Sequence, residues 1–310
     1  MDHKIHKIRT TPDRPAYHVL MQSPSLAATQ IDFDALAEAL PTLVLTGAGI
    51  SAGAGIPTYR DEKGIWLRSE PIKHQEFMTD PRARRRYWGR SLLGWPAIRD
   101  ARPSQAHRLL AQLEQTGAIQ AIVTQNVDRL HQRAGSVRVT DLHGRLDRVL
   151  CLGCGAYSDR ETLQSRLERN NPRLHSAVIN SQVLRPDGDA DLSDDLVSRV
   201  TVPACTLCNG VLMPDVVFFG GSIPQERVLA CESALNNAKS LLVIGSSLQV
   251  YSGYRFCRWA QRMGKPIFII NPGLTRADNM ATRYTATADS ALATLIDRLG
   301  ADYSTRRKNA

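Results

Sequence analysis

Leu43–Trp66 reads LVLTGAGISAGAGIPTYRDEKGIW, and the fold follows from it. The apolar opening, Leu43-Val44-Leu45, has the unbroken hydrophobicity of a strand buried on both faces, as in a parallel sheet. The strand breaks into a loop holding Gly47, Gly49, Gly53 and Gly55, residues that let a backbone turn tightly and lie against a ligand. Gly47-x-Gly49-x-x-Ala52 fits the fingerprint whose amides cradle a pyrophosphate near a helix N-terminus. Glycine-rich turns are common, so this match alone decides little. The acidic ribose anchor that usually follows about 20 residues on has no strand to sit on, since Glu70 lies within RSEPIKH. The loop points to a nucleotide held in an unusual way. Directly after it, Gly55-Ile56-Pro57-Thr58-Tyr59-Arg60 sets a rigid turn, an aromatic ring and a guanidinium. Arg60 can clamp a pyrophosphate through paired donors, and Tyr59 can cover a sugar.

The same punctuation recurs downstream. Ala121-Ile122-Val123 ends in Thr124-Gln125-Asn126-Val127-Asp128, and Val216 to Phe219 ends at Gly220-Gly221. Leu241 to Ile244 ends at Gly245-Ser246-Ser247, and Ile267 to Ile270 ends at Asn271-Pro272-Gly273. Helical spacing over 31–41, 105–116, 224–239 and 254–263 separates these runs, and 71–100 reads as helices outside the sheet. Short strands alternating with helices predict an α/β fold, a Rossmann-like parallel sheet with a smaller lobe inserted. Such sheets bind ligands at the carboxyl ends of their strands, where GAGIS, TQNVD, GSS and NPG all fall.

The 310 residues can bury a sizeable core, and they divide as follows. Residues 1–30 read as a flexible tail, 31–144 and 210–300 as the Rossmann-like domain with a helical insert at about 62–100, 145–209 as the small lobe, and 301–310 as a second tail. The N-terminus is charged and lacks the continuous apolar core of a secretory signal. No apolar run approaches the roughly 20 residues of a membrane helix, so no membrane partner is expected. The formal charge of +9 favours anionic partners such as nucleotide phosphates or acidic protein surfaces.

Six cysteines form two CxxC pairs and two singles, Cys231 and Cys257. Cys151-Leu-Gly-Cys154 and Cys205-Thr-Leu-Cys208 offer four thiolates, the set that Zn²⁺ takes tetrahedrally with no position left for water. One structural zinc in a reducing compartment is the expectation, against redox pairs or a nucleic-acid-binding zinc ribbon that would use the same ligands. His143, in Asp141-Leu142-His143-Gly144-Arg145, stands just before this lobe and so near the junction of the two.

GAGIS followed by GIPTYR, then TQNVDRLHQRAG and LHG, resembles the sirtuin family of NAD-dependent protein-lysine deacylases, with the motifs in family order from about residue 36 to 300. Arg145 to Gly155 (RLDRVLCLGCG), Pro186-Asp-Gly-Asp and Ser247 to Phe256 (SLQVYSGYRF) look most like the class II branch that includes the mitochondrial sirtuin four type. The resemblance implies NAD as co-substrate and a four-cysteine zinc away from the chemistry. It implies cofactor contacts at Gly47, Ala48, Gly49, Ser51, Gly55, Ile56, Pro57, Tyr59, Arg60 and Trp66, then at Gln125, Asn126, Val127 and Asp128. Gly245, Ser246, Ser247, Asn271, Pro272, Gly273 and Asp289 would serve the adenosine side. His143 would be the general base, with Asn126 on the ribose and an ordered water and Asp128 on the carboxamide. In the implied reaction the acyl oxygen attacks the ribose, nicotinamide leaves, and water releases the lysine and an acyl-ADP-ribose.

The acyl-lysine substrate would lie as an extended peptide between Val217, Phe218, Phe219 and Gly220 on one side and Leu248 and Val250 on the other. Gly221 and Tyr251-Ser252-Gly253 depart from the family pattern at this edge. Tyr87, Trp88 and Arg90 are expected to border the acyl pocket. The same scaffold allows mono-ADP-ribosyl transfer as an alternative; a dehydrogenase or a zinc-ribbon nucleic-acid binder leaves more of the motifs unexplained, so nucleic acid is not expected. The cytoplasm, or the mitochondrial matrix in a eukaryote, is the expected location.

Overall fold

The computed structural model describes residues 33–58, 71–177 and 193–308. Strands β1 (Thr42–Thr46), β2 (Ile119–Thr124), β3 (Val139–Asp141), β7 (Ser240–Ile244), β8 (Ile267–Ile270) and β9 (Thr282–Tyr284) form one sheet. Their order is β3-β2-β1-β7-β8-β9, and every neighbouring pair is parallel. The two-residue alternation of strand side chains divides the apolar residues between two faces. Val44, Ile122, Leu242, Ile244 and Phe268 pack with Leu110 and Leu113 of helix α4 (Gln105–Gln115) and Leu292 and Leu295 of α11 (Ala288–Lys308). Leu43, Leu45, Val123, Val243 and Ile269 pack with Leu235 of α9 (Gln225–Asn237) and with Phe256 and Cys257 of α10 (Tyr251–Arg262). Helices on both faces explain why these strands read as continuous apolar runs. Each fully buried Leu or Val here stabilises the sheet by roughly 1.5–3 kcal/mol.

The run Val216 to Phe219 is not a strand of this sheet, contrary to the expectation. Strand β6 (Leu212–Val216) instead pairs antiparallel with β4 (Gly144–Cys151), which pairs with β5 (Tyr157–Asp159) in a second sheet ordered β5-β4-β6. Phe218 follows β6, stacks on Phe77 at 4.9 Å and meets Tyr87 edge-to-face at 5.3 Å. A short apolar run is equally consistent with either core, so periodicity alone does not assign its sheet.

That second core is shared with helices α2 (His74–Thr79), α3 (Pro81–Asp100) and α6 (Arg160–Asn170): Phe77, Trp88 and Leu92 pack with Val149, Leu163, Leu167 and Leu212. Arg160 is buried against the rings of Trp88 and Trp95 and donates to the Ser91 carbonyl oxygen at 3.1 Å, pinning α6 to α3. Short helices α1 (Asp34–Glu38), α5 (Leu130–Arg133), α7 (Pro172–Ala177) and α8 (Asp194–Ser198) complete the described chain. The small sheet ends at Val216, and α11 runs from Ala288 to Lys308. Among the described residues no helix is long and apolar enough to cross a membrane.

Candidate active site

The carboxyl ends of β1, β2, β7 and β8 open onto one cavity of about 720 Å³. Gly47, Ala48 and Gly49 leave β1 and enter a 3₁₀ turn over Ala48–Ala54, not an α-helix. This turn interlocks with the loop after β7: the Gly49 amide donates to the Gly245 carbonyl oxygen at 2.8 Å. Only glycines allow that approach. Gly245 has φ +62, and a Cβ there would lie 2.5 Å from the Ile50 nitrogen. Gly245→Ala should therefore cost at least about 2 kcal/mol of stability; thermal melting checks it, and an unchanged melt would contradict this packing.

Gln125, Asn126 and Val127 reach the cavity from β2, Ser246 and Ser247 from β7, and Asn271, Pro272 and Gly273 from β8. The Gln125 amide donates to Ser246 Oγ at 2.8 Å, and the Asn271 amide folds back onto the Gly273 carbonyl oxygen at 2.8 Å. Asp289 lines the cavity too, but its Oδ1 accepts from the Ala106 amide at 2.5 Å, so it also caps the start of α4.

Asp128 stands behind the wall instead of in it. Its Oδ2 accepts from Ser51 Oγ at 2.7 Å and its Oδ1 from the Leu130 amide at 2.9 Å. Burial raises its pKa, and those two hydrogen bonds oppose the rise. Ser51 in turn accepts from the Asn126 amide at 3.1 Å, and the same amide reaches the Gly47 carbonyl oxygen at 3.1 Å. Asp128, Ser51 and Asn126 thus form one relay across β1 and β2. Ile56 also points away from the cavity, packing with Trp95, Ile98, Val127 and Leu130. Gly55 forms the left-handed turn before it, and Gly55, Pro57 and Gly220 are not among the described wall residues. Tyr59, Arg60 and Trp66 lie outside the described residues.

His143 is in the wall. Its Nδ1 is 3.0 Å from the Gln125 carbonyl oxygen, an acceptor only, so the neutral ring carries its hydrogen on Nδ1 and leaves Nε2 as the basic nitrogen. Burial lowers the pKa to about 4; the Gln125 bond opposes this, and the charges of Arg227 and Arg255 add to it. The backbone carbonyl of His143 accepts from the Val217 amide at 2.7 Å, which ties the histidine to the segment after β6. His131 is a buried structural residue, its Nε2 2.9 Å from Thr46 Oγ1.

Val217, Phe218, Phe219, Leu248 and Val250 all line the cavity. Leu248 is buried at φ +56 while Val250 is exposed, so the two face different ways. Tyr87 is in the wall, but Trp88 is wholly buried with its indole N–H on the Leu212 carbonyl oxygen at 3.1 Å. Arg90 is buried as well, and neither it nor Trp88 reaches the described wall. Thr58 and Leu146, quoted within motifs but given no site role, also line the cavity, as do Ile72 and Leu274, which carry no residue type or spacing that marks a site.

The four cysteines converge as expected. Their sulfurs lie within 4.8 Å of one another, with Cys151 and Cys208 at 3.5 Å and Cys154 and Cys205 at 3.9 Å. A zinc–sulfur tetrahedron with bonds near 2.3 Å needs sulfurs about 3.8 Å apart, so the set fits zinc. Amides of Gly153, Leu207 and Gly210 point at Cys151, Cys205 and Cys208 at 3.4, 3.4 and 3.3 Å, as thiolates require. The Cys154 and Gly153 amides pull the Cys151 thiol down to about 6.

The Sir2 family model matches residues 47–252. The chain is 49% identical over 259 residues, 83% of its own length and 86% of the relative's, to "NAD-dependent protein deacetylase 1" of Streptomyces coelicolor. It is 47% identical over 246 residues, 79% of each chain, to "NAD-dependent protein deacylase SIR4" of Monosiga brevicollis. Its fold is similar to that of a Sir2 protein solved with a p53 peptide and NAD+, with a TM-score of 0.67 at 30% identity, covering 87% of this chain and 99% of that one.

Proposed function

The protein belongs to the Sir2 family and is an NAD-dependent protein deacetylase, and on that premise we propose that His143 is its general base and that the cavity at the strand ends holds NAD. The observation that carries the reading is the His143 ring, in the cavity wall with its hydrogen fixed on Nδ1 by Gln125 and Nε2 left basic. NAD bound there would supply a ribose carbon made electrophilic by loss of nicotinamide, and Nε2 would be placed to accept a proton from a hydroxyl, a task that a neutral imidazole suits at neutral pH. Asn126 presents its side-chain oxygen to the cavity, because its amide hydrogens are spent on Gly47 and Ser51. We assign Asp128 to holding Ser51, and through it Asn126, since both its oxygens are already engaged. The interlocked turn of Gly47, Ala48 and Gly49 receives the phosphates, while Ser246, Ser247 and Asn271 serve the adenosine half.

An acyl-lysine peptide would enter as an extended segment between Val217–Phe219 and Leu248–Val250, with backbone bonds doing most of the holding. Tyr87 is the residue we place beside the acyl group; Trp88 and Arg90 act on it through packing. We divide the chain into a nucleotide-binding sheet and a zinc lobe that extends to Val216. Likeness to the Monosiga brevicollis protein named a deacylase supports the class II, sirtuin four type reading, and removal of acyl groups other than acetyl belongs to that reading. Four cysteines suited to a metal fit a reducing compartment such as the cytoplasm.

Mass spectrometry of NAD incubated with the enzyme and peptides carrying acetyl, fatty acyl, succinyl, glutaryl or lipoyl lysine tests this. Nicotinamide and acyl-ADP-ribose should form together, most with the preferred acyl group. Nicotinamide with mass added to protein, and no acyl-ADP-ribose, would replace acyl transfer by ADP-ribosyl transfer as the main outcome.

A further inference from the structure

We propose that Ser252 is a positioning residue for deacetylation: its hydroxyl holds Nε2 of His143 before the reaction and accepts the new Nε2–H once the base has taken its proton. This rests on His143 being the base. The ground is a second contact on the same ring. With the hydrogen fixed on Nδ1 by Gln125, Nε2 can only accept, and Ser252 Oγ stands 2.8 Å from it. Ser252 therefore donates. It lies in the first turn of α10, half-buried, and the next residue makes room for the arrangement. A Cβ at Gly253 would lie 2.5 Å from Gln125 Oε1, so glycine lets α10 start close to the residue whose carbonyl holds the other side of the ring.

The charges around the ring give this contact its weight. His143 feels Arg227 from α9 and Arg255 from α10, both opposing protonation, and its Nδ1 faces a carbonyl where a carboxylate could have stood. The imidazolium is thus stabilised by two neutral oxygens, of Gln125 and Ser252. When a substrate hydroxyl gives its proton to Nε2, an O–H bond breaks and an N–H bond forms. The Ser252 hydroxyl hydrogen turns aside, and the new Nε2–H donates to Ser252 Oγ. A hydrogen bond from a charged donor is about twice as strong as a neutral one. Removing Ser252 costs the imidazolium more than the imidazole, so the base weakens.

Ser252→Ala should lower kcat about tenfold, leave the KM for NAD and peptide nearly unchanged, and move the acid limb of the pH–rate profile to lower pH. Ser252→Thr keeps the hydroxyl and should restore both. A readout free of turnover is the nitrogen NMR resonance of His143 Nε2 in the enzyme without NAD at neutral pH. It should move in Ser252→Ala and return in Ser252→Thr. An unmoved resonance with wild-type kcat and acid limb in a folded Ser252→Ala overturns the proposal. His143→Ala separates this from the reading beneath it: activity surviving that exchange removes the base itself, whereas activity lost there but untouched in Ser252→Ala removes only the role of Ser252.

Discussion

His143→Ala should cut deacetylation about 100- to 10,000-fold, the usual worth of a positioned general base, while melting within a few degrees of the parent. The pH profile gives the sharper check. In the proposed role the base works as neutral imidazole, so activity is complete above its pKa and falls as pH drops through it. Burial holds that pKa near 4, whereas an imidazole in water is half protonated at about 6.5. Initial rates of kcat/KM should therefore stay high at pH 6 and fall only towards pH 4 to 5. An acid limb at 6.5 would refute burial as the state of the working ring. Stability must be followed alongside. Burial also lowers His107, to about 4, and His131. Between roughly 6.5 and 4 the unfolded chain binds protons that the folded one refuses, so the folded state weakens as pH falls through that window. Melting at each pH separates this loss from loss of the base.

Removing zinc should be the largest blow to the fold. The four-cysteine cluster lies outside the cavity wall, yet Cys151 and Cys205 belong to the core that also contains Tyr87, Trp88, Leu212 and Phe218. Structural zinc is worth roughly 10–16 kcal/mol in small zinc-binding peptides, comparable with the whole stability of a domain, about 5–15 kcal/mol. Cys151→Ser or a strong chelator should loosen the small lobe and carry Tyr87 and Phe218 with it, abolishing deacetylation. Metal analysis should find one zinc per chain, lost on chelation together with the melting transition, and zinc added early should restore activity. A metal-free sample with full activity and an unchanged melt would show that the cysteines hold no structural ion.

What the sequence made legible was the central layer, for a physical reason. Parallel strands covered on both faces must be apolar throughout, and their ends must turn sharply next to a ligand, so β1, β2, β7 and β8 carry both marks. Strands β3 and β9 span three residues each at the sheet edges, Val139–Asp141 and Thr282–Tyr284, too short and too mixed in polarity to register. Residue type foretold the four-cysteine cluster because CxxC leaves few alternatives. It did not foretell direction. Asp128 and Ile56 sit in the expected motifs, yet one faces Ser51 and the other the core. Trp88 and Arg90 look like pocket residues by type, but the helix turns them inward. Ser252 stood out in the sequence only as a departure at the peptide edge; its contact with the His143 ring was not legible, since a serine at a helix start signals nothing until the ring beside it is known.

The central position of β1 also has a consequence for how the chain is made. Thr42 Oγ1 donates to the carbonyl oxygen of Ser240, a residue translated 198 positions later. At about 5–20 residues per second, β1 waits roughly 10–40 s on the ribosome for its second neighbour, β7. Throughout that interval Leu43, Val44 and Leu45 form an apolar strand with an unpaired edge, the kind of surface that chaperones cover and that aggregates form on. The zinc lobe, encoded in between, emerges whole first. Gly245 then reaches Gly49 and closes the cavity at the strand ends, so a nascent chain stopped just short of Gly245 has its four cysteines complete and that cavity unmade.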